Sequence, residues 1–163
     1  MSAARFDPAG ILRVLAEHRV EYVLIGGFAA VYYGSTQLTF DLDIAPQRTS
    51  DNLDRLSAAL EELQAHVRTG EETVPFAHDG RSLDRAELWN LSTVHGDLDI
   101  AFVPTGTHGY DDLRRDSEPT EVLGVEIRIA SLADVIRSKE AAGRPKDRLA
   151  VPVLRRLLEE NGG

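Results

Sequence analysis

The tetrapeptide Asp-Leu-Asp-Ile occurs twice, at residues 41–44 within FDLDIAP and at residues 97–100 within GDLDIAF. Alternate side chains of a strand point to opposite faces, so each copy sets two carboxylates about 7 Å apart on one face. Asp41 and Asp43 then oppose Leu42 and Ile44, and Asp97 and Asp99 oppose Leu98, Ile100 and Phe102. Clustered carboxylates repel one another unless water or a cation compensates them. A chain with two such segments must build a sheet with one apolar, packed face and one acidic face. The acidic face has two readings: solvated acids on half-exposed strands, or carboxylates converging on a cation. Mg²⁺ suits the second, because it takes oxygen ligands and bridges carboxylates to substrate phosphates. Two such ions about 4 Å apart clamp the attacking and leaving oxygens of a phosphoryl displacement.

The rest of the chain supports a sheet flanked by helices. Asp7-Pro8 reads as an N-cap with proline at the first helical position, and Ile11, Leu12 and Leu15 give that helix an apolar face up to about His18. Val20 to Ile25 reads as a buried strand ended by Gly26-Gly27. A short helix over Phe28–Tyr33, closed by Gly34, precedes a strand over Leu38–Ala45. Leu53, Leu56, Leu60 and Leu63 mark one stripe of a longer helix from about Ser50. Residues 65–86 are ambiguous, with a strand and a hairpin as one reading. Leu88–Val94 and Leu98–Val103 read as strands joined by a tight turn at His95-Gly96. A short helix at Tyr110–Arg115, strands at Glu121–Val122 and Val125–Ile129, and two helices starting at Ser131 and Asp147 complete the chain. This order predicts an α/β (α+β) fold: a small mixed sheet with helices mainly on one side.

At 163 residues the chain is expected to be one domain, 1–163, with its C-terminal helices over about 131–160. No apolar run approaches the roughly 20 residues that span a bilayer. The start, MSAARFDPAG, has no basic region followed by an apolar stretch, and no cysteine is present to form disulfides or thiolate metal sites. The expectation is a soluble cytoplasmic protein without a membrane partner. A net charge of −9 opposes indiscriminate nucleic-acid binding. Residues 137–156 differ: seven basic and two acidic residues give a local +5, leaving −14 elsewhere. That segment is either a solvated basic helix pair or a site for phosphate groups.

Three further features are candidates for a ligand site. Gly26 and Gly27, between a strand and a helix, allow close backbone approach, and N–H groups at the helix start can hold phosphate. Lys139, Arg144 and Lys146 are cations suited to a triphosphate. Asp147 either holds one of them or caps the last helix. Ser35 and Thr36 follow Gly34, where they either touch phosphate oxygens or cap a turn. The histidines at 18, 66, 78, 95 and 108 show no ligand spacing. His95 reads as a hairpin residue, with a role as base or substrate contact as its alternative. Trp89 and Tyr110 read as packing residues.

GGFAAVYYGSTQLTFDLDI, GDLDIAF and SLADVIRSKEAAGRPKDR together resemble the nucleotidyltransferase superfamily with the DNA polymerase β type fold. More narrowly, they are similar to AbiEii and MenT-type nucleotidyltransferase toxins of bacterial toxin–antitoxin systems, over roughly residues 8–158. The resemblance implies that Asp41, Asp43 and Asp99 are the catalytic carboxylates and bind Mg²⁺, or Mn²⁺ in its place. It implies that Gly26 and Gly27 hold the phosphates of a nucleoside triphosphate, with Lys139 and Lys146 neutralising them. Asp97 has no sure counterpart. Relatives often carry arginine where Gln37 stands here. The implied reaction moves NMP from an NTP such as ATP to an acceptor hydroxyl and releases pyrophosphate. For a toxin-like member the acceptor would be RNA, with the tRNA 3′ end leading. The alternatives are transfer to a protein or to a small molecule such as an aminoglycoside, or a non-catalytic nucleotide-binding member. An antitoxin protein, or phosphorylation of Ser35 or Thr36, would silence such an enzyme. Full activity of a Ser35→Asp/Thr36→Asp double variant would count against the phosphorylation route.

Overall fold

The computed structural model describes residues 5–69 and 76–161. Helix α1 (Pro8–Glu17) opens with the expected cap: the Asp7 carboxylate accepts from the Gly10 N–H at 3.2 Å. It is followed by β1 (Tyr22–Ile25), α2 (Gly26–Tyr32), β2 (Asp41–Pro46) and α3 (Ser50–Glu62). Next come β3 (His66–Val67), α4 (Gly80–Leu83), the hairpin β4 (Leu88–Thr93) and β5 (Gly96–Ala101), and α5 (Tyr110–Arg115). A second hairpin, β6 (Glu118–Val122) and β7 (Val125–Ile129), leads into α6 (Leu132–Ala142) and α7 (Pro145–Glu160).

Among the described residues, the seven strands join one mixed sheet in the order β3-β4-β5-β2-β1-β7-β6. β2 and β5 are parallel neighbours in the register Asp41↔Asp97, Leu42↔Leu98, Asp43↔Asp99 and Ile44↔Ile100. The two Asp-Leu-Asp-Ile segments therefore lie side by side with like residues opposed. Leu42, Ile44, Leu98 and Ile100 are fully buried. Burying a side chain of this size contributes about 1.5–3 kcal/mol, so the apolar half of each segment fixes its register. Ile11, Leu12 and Leu15 of α1 and Leu53, Leu56 and Leu60 of α3 belong to the same core. A buried side chain ties this layer together: Asn52 accepts from the Glu21 N–H at 2.7 Å and donates to the carbonyls of Glu21 (2.9 Å) and Gln47 (2.8 Å).

The expected α/β architecture and mixed sheet are present, and the differences are local. β2 begins at Asp41 because residues 38–40 find no strand partner, and Leu38 (85%) and Phe40 (68%) are left exposed. Gly26 and Gly27 form the first turn of α2 rather than preceding it. α7 starts at Pro145, two residues before the expected start at Asp147. Proline suits the first helical turn, and Asp147 sits at the third position, accepting from the Arg144 N–H at 3.2 Å. Of the ambiguous stretch 65–86, residues 66–67 form a strand paired to β4 and residues 80–83 a short helix. Residues 70–75 lie outside the described residues. Among the described residues, no helix is long and apolar enough to cross a membrane.

Candidate active site

The acidic face of β2 and β5 opens into a cleft of about 870 Å³. Its lining comes from α2, α6, the start of α7, β4, β5 and the segment after β5. One carboxylate oxygen each of Asp41, Asp43 and Asp99 lies within 4.8 Å of the others. Burial, then the charges of Asp41 and Asp99, push Asp43 up to about 7, against the opposing pull of Lys146 and Arg144. Burial and a hydrogen bond with Asp41 push Asp99 up to about 6, although Arg68 pulls it down. Three carboxylates converge here, two of them (Asp43 and Asp99) pushed up by burial and by their neighbours, and together they form an all-oxygen donor set. That set fits a hard divalent cation such as Mg²⁺ or Mn²⁺.

The glycine pair is explained by this cluster. A Cβ at Gly26 would overlap the Asp43 carboxylate, and the residue adopts φ +75°. Only glycine lets the β1–α2 junction lie directly against the second carboxylate of β2. A Cβ at Gly27 would stand 3.1 Å from Thr39 Oγ1. Thr39 Oγ1 in turn donates to Asp41 Oδ1 at 3.2 Å, which steadies the first carboxylate.

The cationic wall is a network. Asp147 is fully buried, 3.5 Å from Lys139 Nζ and 2.8 Å from Arg144 Nε. Burial would raise its carboxyl, but the hydrogen bonds and charge of Arg144, with the charge of Lys139, hold it below the usual carboxylate range. Asp147 thus both caps α7 and fixes two cations. Gln37 donates from Nε2 to the Lys146 carbonyl at 3.2 Å, so it positions the α7 start without supplying charge. Ser35 Oγ accepts from the Gln37 N–H at 3.3 Å, which is the turn-capping option.

Gly26, Gly27, Ser35, Lys139, Arg144 and Lys146 line the same cleft as the three carboxylates. Thr36 is exposed and stands apart from the lining. Asp97 lines the cleft outside the three-carboxylate cluster, bonded to Ser92 Oγ at 3.1 Å and facing Arg68. His95 lies at the β4–β5 turn, 3.5 Å from Asp7, away from the lining residues. Trp89 donates to the Leu83 carbonyl at 2.9 Å and packs on Phe76, while Tyr110 is buried. Both are packing residues, as expected.

Arg68 and Thr39 escape the sequence reading. Arg68 Nη2 donates to Asp99 Oδ1 at 2.8 Å, and Nη1 lies 3.3 Å from Asp97 Oδ2. The available signal is the alternation of Ala65-His66-Val67-Arg68, which puts Arg68 on the acidic face once β3 is paired to β4.

No protein-family model and no curated protein matches the chain. Solved structures do. It is similar to a candidate nucleotidyltransferase from Thermotoga maritima, with TM-score 0.57 and 17% identity, covering 96% of this chain and 97% of that one. It is similar to the lincosamide antibiotic adenylyltransferase LnuA, lincomycin-bound, with TM-score 0.63 and 16% identity over 94% and 99% of the two chains. A third structure, the antibiotic-resistance factor ANT(2'')-Ia, gives TM-score 0.53 and 17% identity over 93% and 88%. At these identities the likeness establishes the fold, which is the expected nucleotidyltransferase fold.

Proposed function

We propose that the chain is a Mg²⁺-dependent nucleotidyltransferase. The observation that carries this reading is the convergence of Asp41, Asp43 and Asp99 opposite Lys139, Arg144 and Lys146 in one cleft. That arrangement suits a substrate carrying both a polyphosphate and its counter-ions. Asp41, Asp43 and Asp99 would hold the cations together. When bound, divalent cations neutralise the triphosphate and lower the proton affinity of the acceptor hydroxyl. Lys146 and Arg144 orient the β- and γ-phosphates, and Gly26 and Gly27 let them approach the backbone. The acceptor oxygen forms a bond to the α-phosphorus and the α–β bridging oxygen departs with its electron pair as pyrophosphate. Asp99 takes the hydroxyl proton or polarises it. Positioning and charge neutralisation supply most of the catalysis.

The proposed acceptor is RNA, with the tRNA 3′ end first, in a toxin of a toxin–antitoxin pair in the cytoplasm. Its support is the AbiEii/MenT-like run SLADVIRSKEAAGRPKDR and the basic 137–156 segment. A specific observation favours a second reading, a small-molecule acceptor. The cleft rim carries exposed Leu38, Phe40 and Leu88, which suit an apolar ring system better than a phosphodiester backbone. LnuA, whose fold is shared, is an antibiotic adenylyltransferase. One assay separates these. The protein, Mg²⁺ and each α-labelled nucleoside triphosphate are incubated with total bacterial RNA, or with lincomycin and an aminoglycoside, beside an Asp41→Ala/Asp43→Ala control. Label in the tRNA band supports the first reading, and label on the drug the second. Label in neither, from folded protein, counts against both.

A further inference from the structure

Arg68 reaches from the end of β3 across β4 to β5. Its Nη1 donates to the Leu91 carbonyl at 3.1 Å and approaches Asp97, while its Nη2 holds Asp99 at 2.8 Å. Asp99 belongs to the cation cluster and Asp97 does not. The guanidinium therefore spans one carboxylate that a divalent cation would claim and one that it would leave. A guanidinium on Asp99 Oδ1 neutralises charge and occupies lone-pair space on the carboxylate that a divalent cation would use, so the two cations compete electrostatically for Asp99.

We propose that Arg68 is a built-in counter-ion that holds Asp99 until a divalent cation takes that carboxylate, and that Asp97 is the seat on which Arg68 then remains. Arg68 is thus a positioning residue, and the inference rests on reading the cluster as a cation site. Three features support it. The guanidinium offsets repulsion among Asp41, Asp43 and Asp99 while no divalent cation is bound. Releasing Asp99 gives up one contact while two persist, to Asp97 and to the Leu91 carbonyl. Asp97 is itself fixed by Ser92, and with 34% of its own side chain exposed, Arg68 has room to turn.

The test is Mn²⁺ binding to the nucleotide-free protein, read as free Mn²⁺ by its electron paramagnetic resonance signal. Wild type is compared with Arg68→Gln, Asp97→Asn and the double variant. An ion pair this exposed shifts an equilibrium by about fivefold or less. Arg68→Gln is expected to bind Mn²⁺ tighter by roughly threefold to fivefold. Asp97→Asn is expected to bind it more weakly, because Arg68 loses its other seat. In the Arg68→Gln background, Asp97→Asn is expected to have no effect, since no guanidinium remains to be seated. Equal affinity in wild type and Arg68→Gln overturns the proposal. So does an Asp97→Asn effect that persists in the double variant, which would mark a general field effect. Should Arg68→Gln fail to fold, Arg68→Lys, which keeps the charge and loses the fork, is expected to bind Mn²⁺ tighter than wild type. Absence of Mn²⁺ binding in folded wild type overturns the cation-site reading and this inference with it. Binding in wild type with unchanged variants overturns only the inference.

Discussion

Asp43 is the residue on which the folded state and the proposed chemistry pull in opposite directions. Its carboxyl is pushed up to about 7, chiefly by burial and then by Asp41 and Asp99. Because the folded pKa lies above the unfolded one, ionisation penalises the fold. The penalty is absent below about pH 4 and complete above about pH 7. Asp43→Asn is therefore expected to stabilise the metal-free protein at pH 8 by on the order of 3 kcal/mol. The gain should shrink as pH falls toward 4, and the variant should lose the thermal shift that Mg²⁺ gives wild type. Urea unfolding at several pH values, with and without Mg²⁺, checks both points; a destabilised variant at pH 8 contradicts the account. The pair of carboxylates was legible in the sequence because a strict period of two, written twice, leaves little choice of face. Arg68 was not, since its place depends on pairing β3 with β4, more than 20 residues away.

At the scale of elements, α6 and α7 are joined beside the site through a buried ion pair. Asp147 holds Lys139, which is itself buried, and caps α7 through the Arg144 N–H. Removing one partner of a buried pair leaves the other charge uncompensated, at a cost of about 3 kcal/mol. Asp147→Asn should lower stability by about that amount and weaken triphosphate binding by freeing Lys139 and Arg144; unchanged stability in thermal melts would count against the pairing. The β6–β7 hairpin makes a separate prediction. Val122 and Val125 are paired across a two-residue loop in which Leu123 (φ 53°) and Gly124 (φ 83°) both adopt positive φ. Such turns favour Asn-Gly, and leucine is strained there. Leu123→Asn should raise stability by roughly 0.5–1 kcal/mol, measured as a higher melting temperature. Both features were readable only in part. The sequence pattern marks two adjacent strands without the turn geometry, and it leaves the role of Asp147 open between capping and pairing, where the structure shows both.

Across the whole molecule, charge is less separated than its order along the chain implies. The segment 137–156 carries +5, yet most of its cations are committed. Arg137 pairs with Asp112 and Asp134, Lys139 and Arg144 with Asp147, and Arg155 with Glu140. Among the described residues, Lys146, Arg148 and Arg156 are the members of this segment with no carboxylate partner in an ion pair. Each phosphate neutralised on a single strand contributes about −0.7 to the slope of log K against log salt. RNA binding by this surface should then show a slope no steeper than about −2, read by fluorescence anisotropy across salt concentrations. A steeper slope would require cations beyond these. The overall architecture was legible because helical and strand periodicities alternate clearly along the chain. The charge distribution was not, because ion pairing is a property of the folded surface.

The central claim is that Asp41, Asp43 and Asp99 hold divalent cations that anchor a nucleoside triphosphate. Calorimetric titration with an α,β-methylene triphosphate analogue tests it without requiring any acceptor. Wild type should bind the analogue with Mg²⁺ and only weakly without it, and Asp41→Ala/Asp43→Ala should lose the Mg²⁺-dependent part. Equal binding with and without Mg²⁺, or undiminished Mg²⁺-dependent binding in the double variant, would contradict the account.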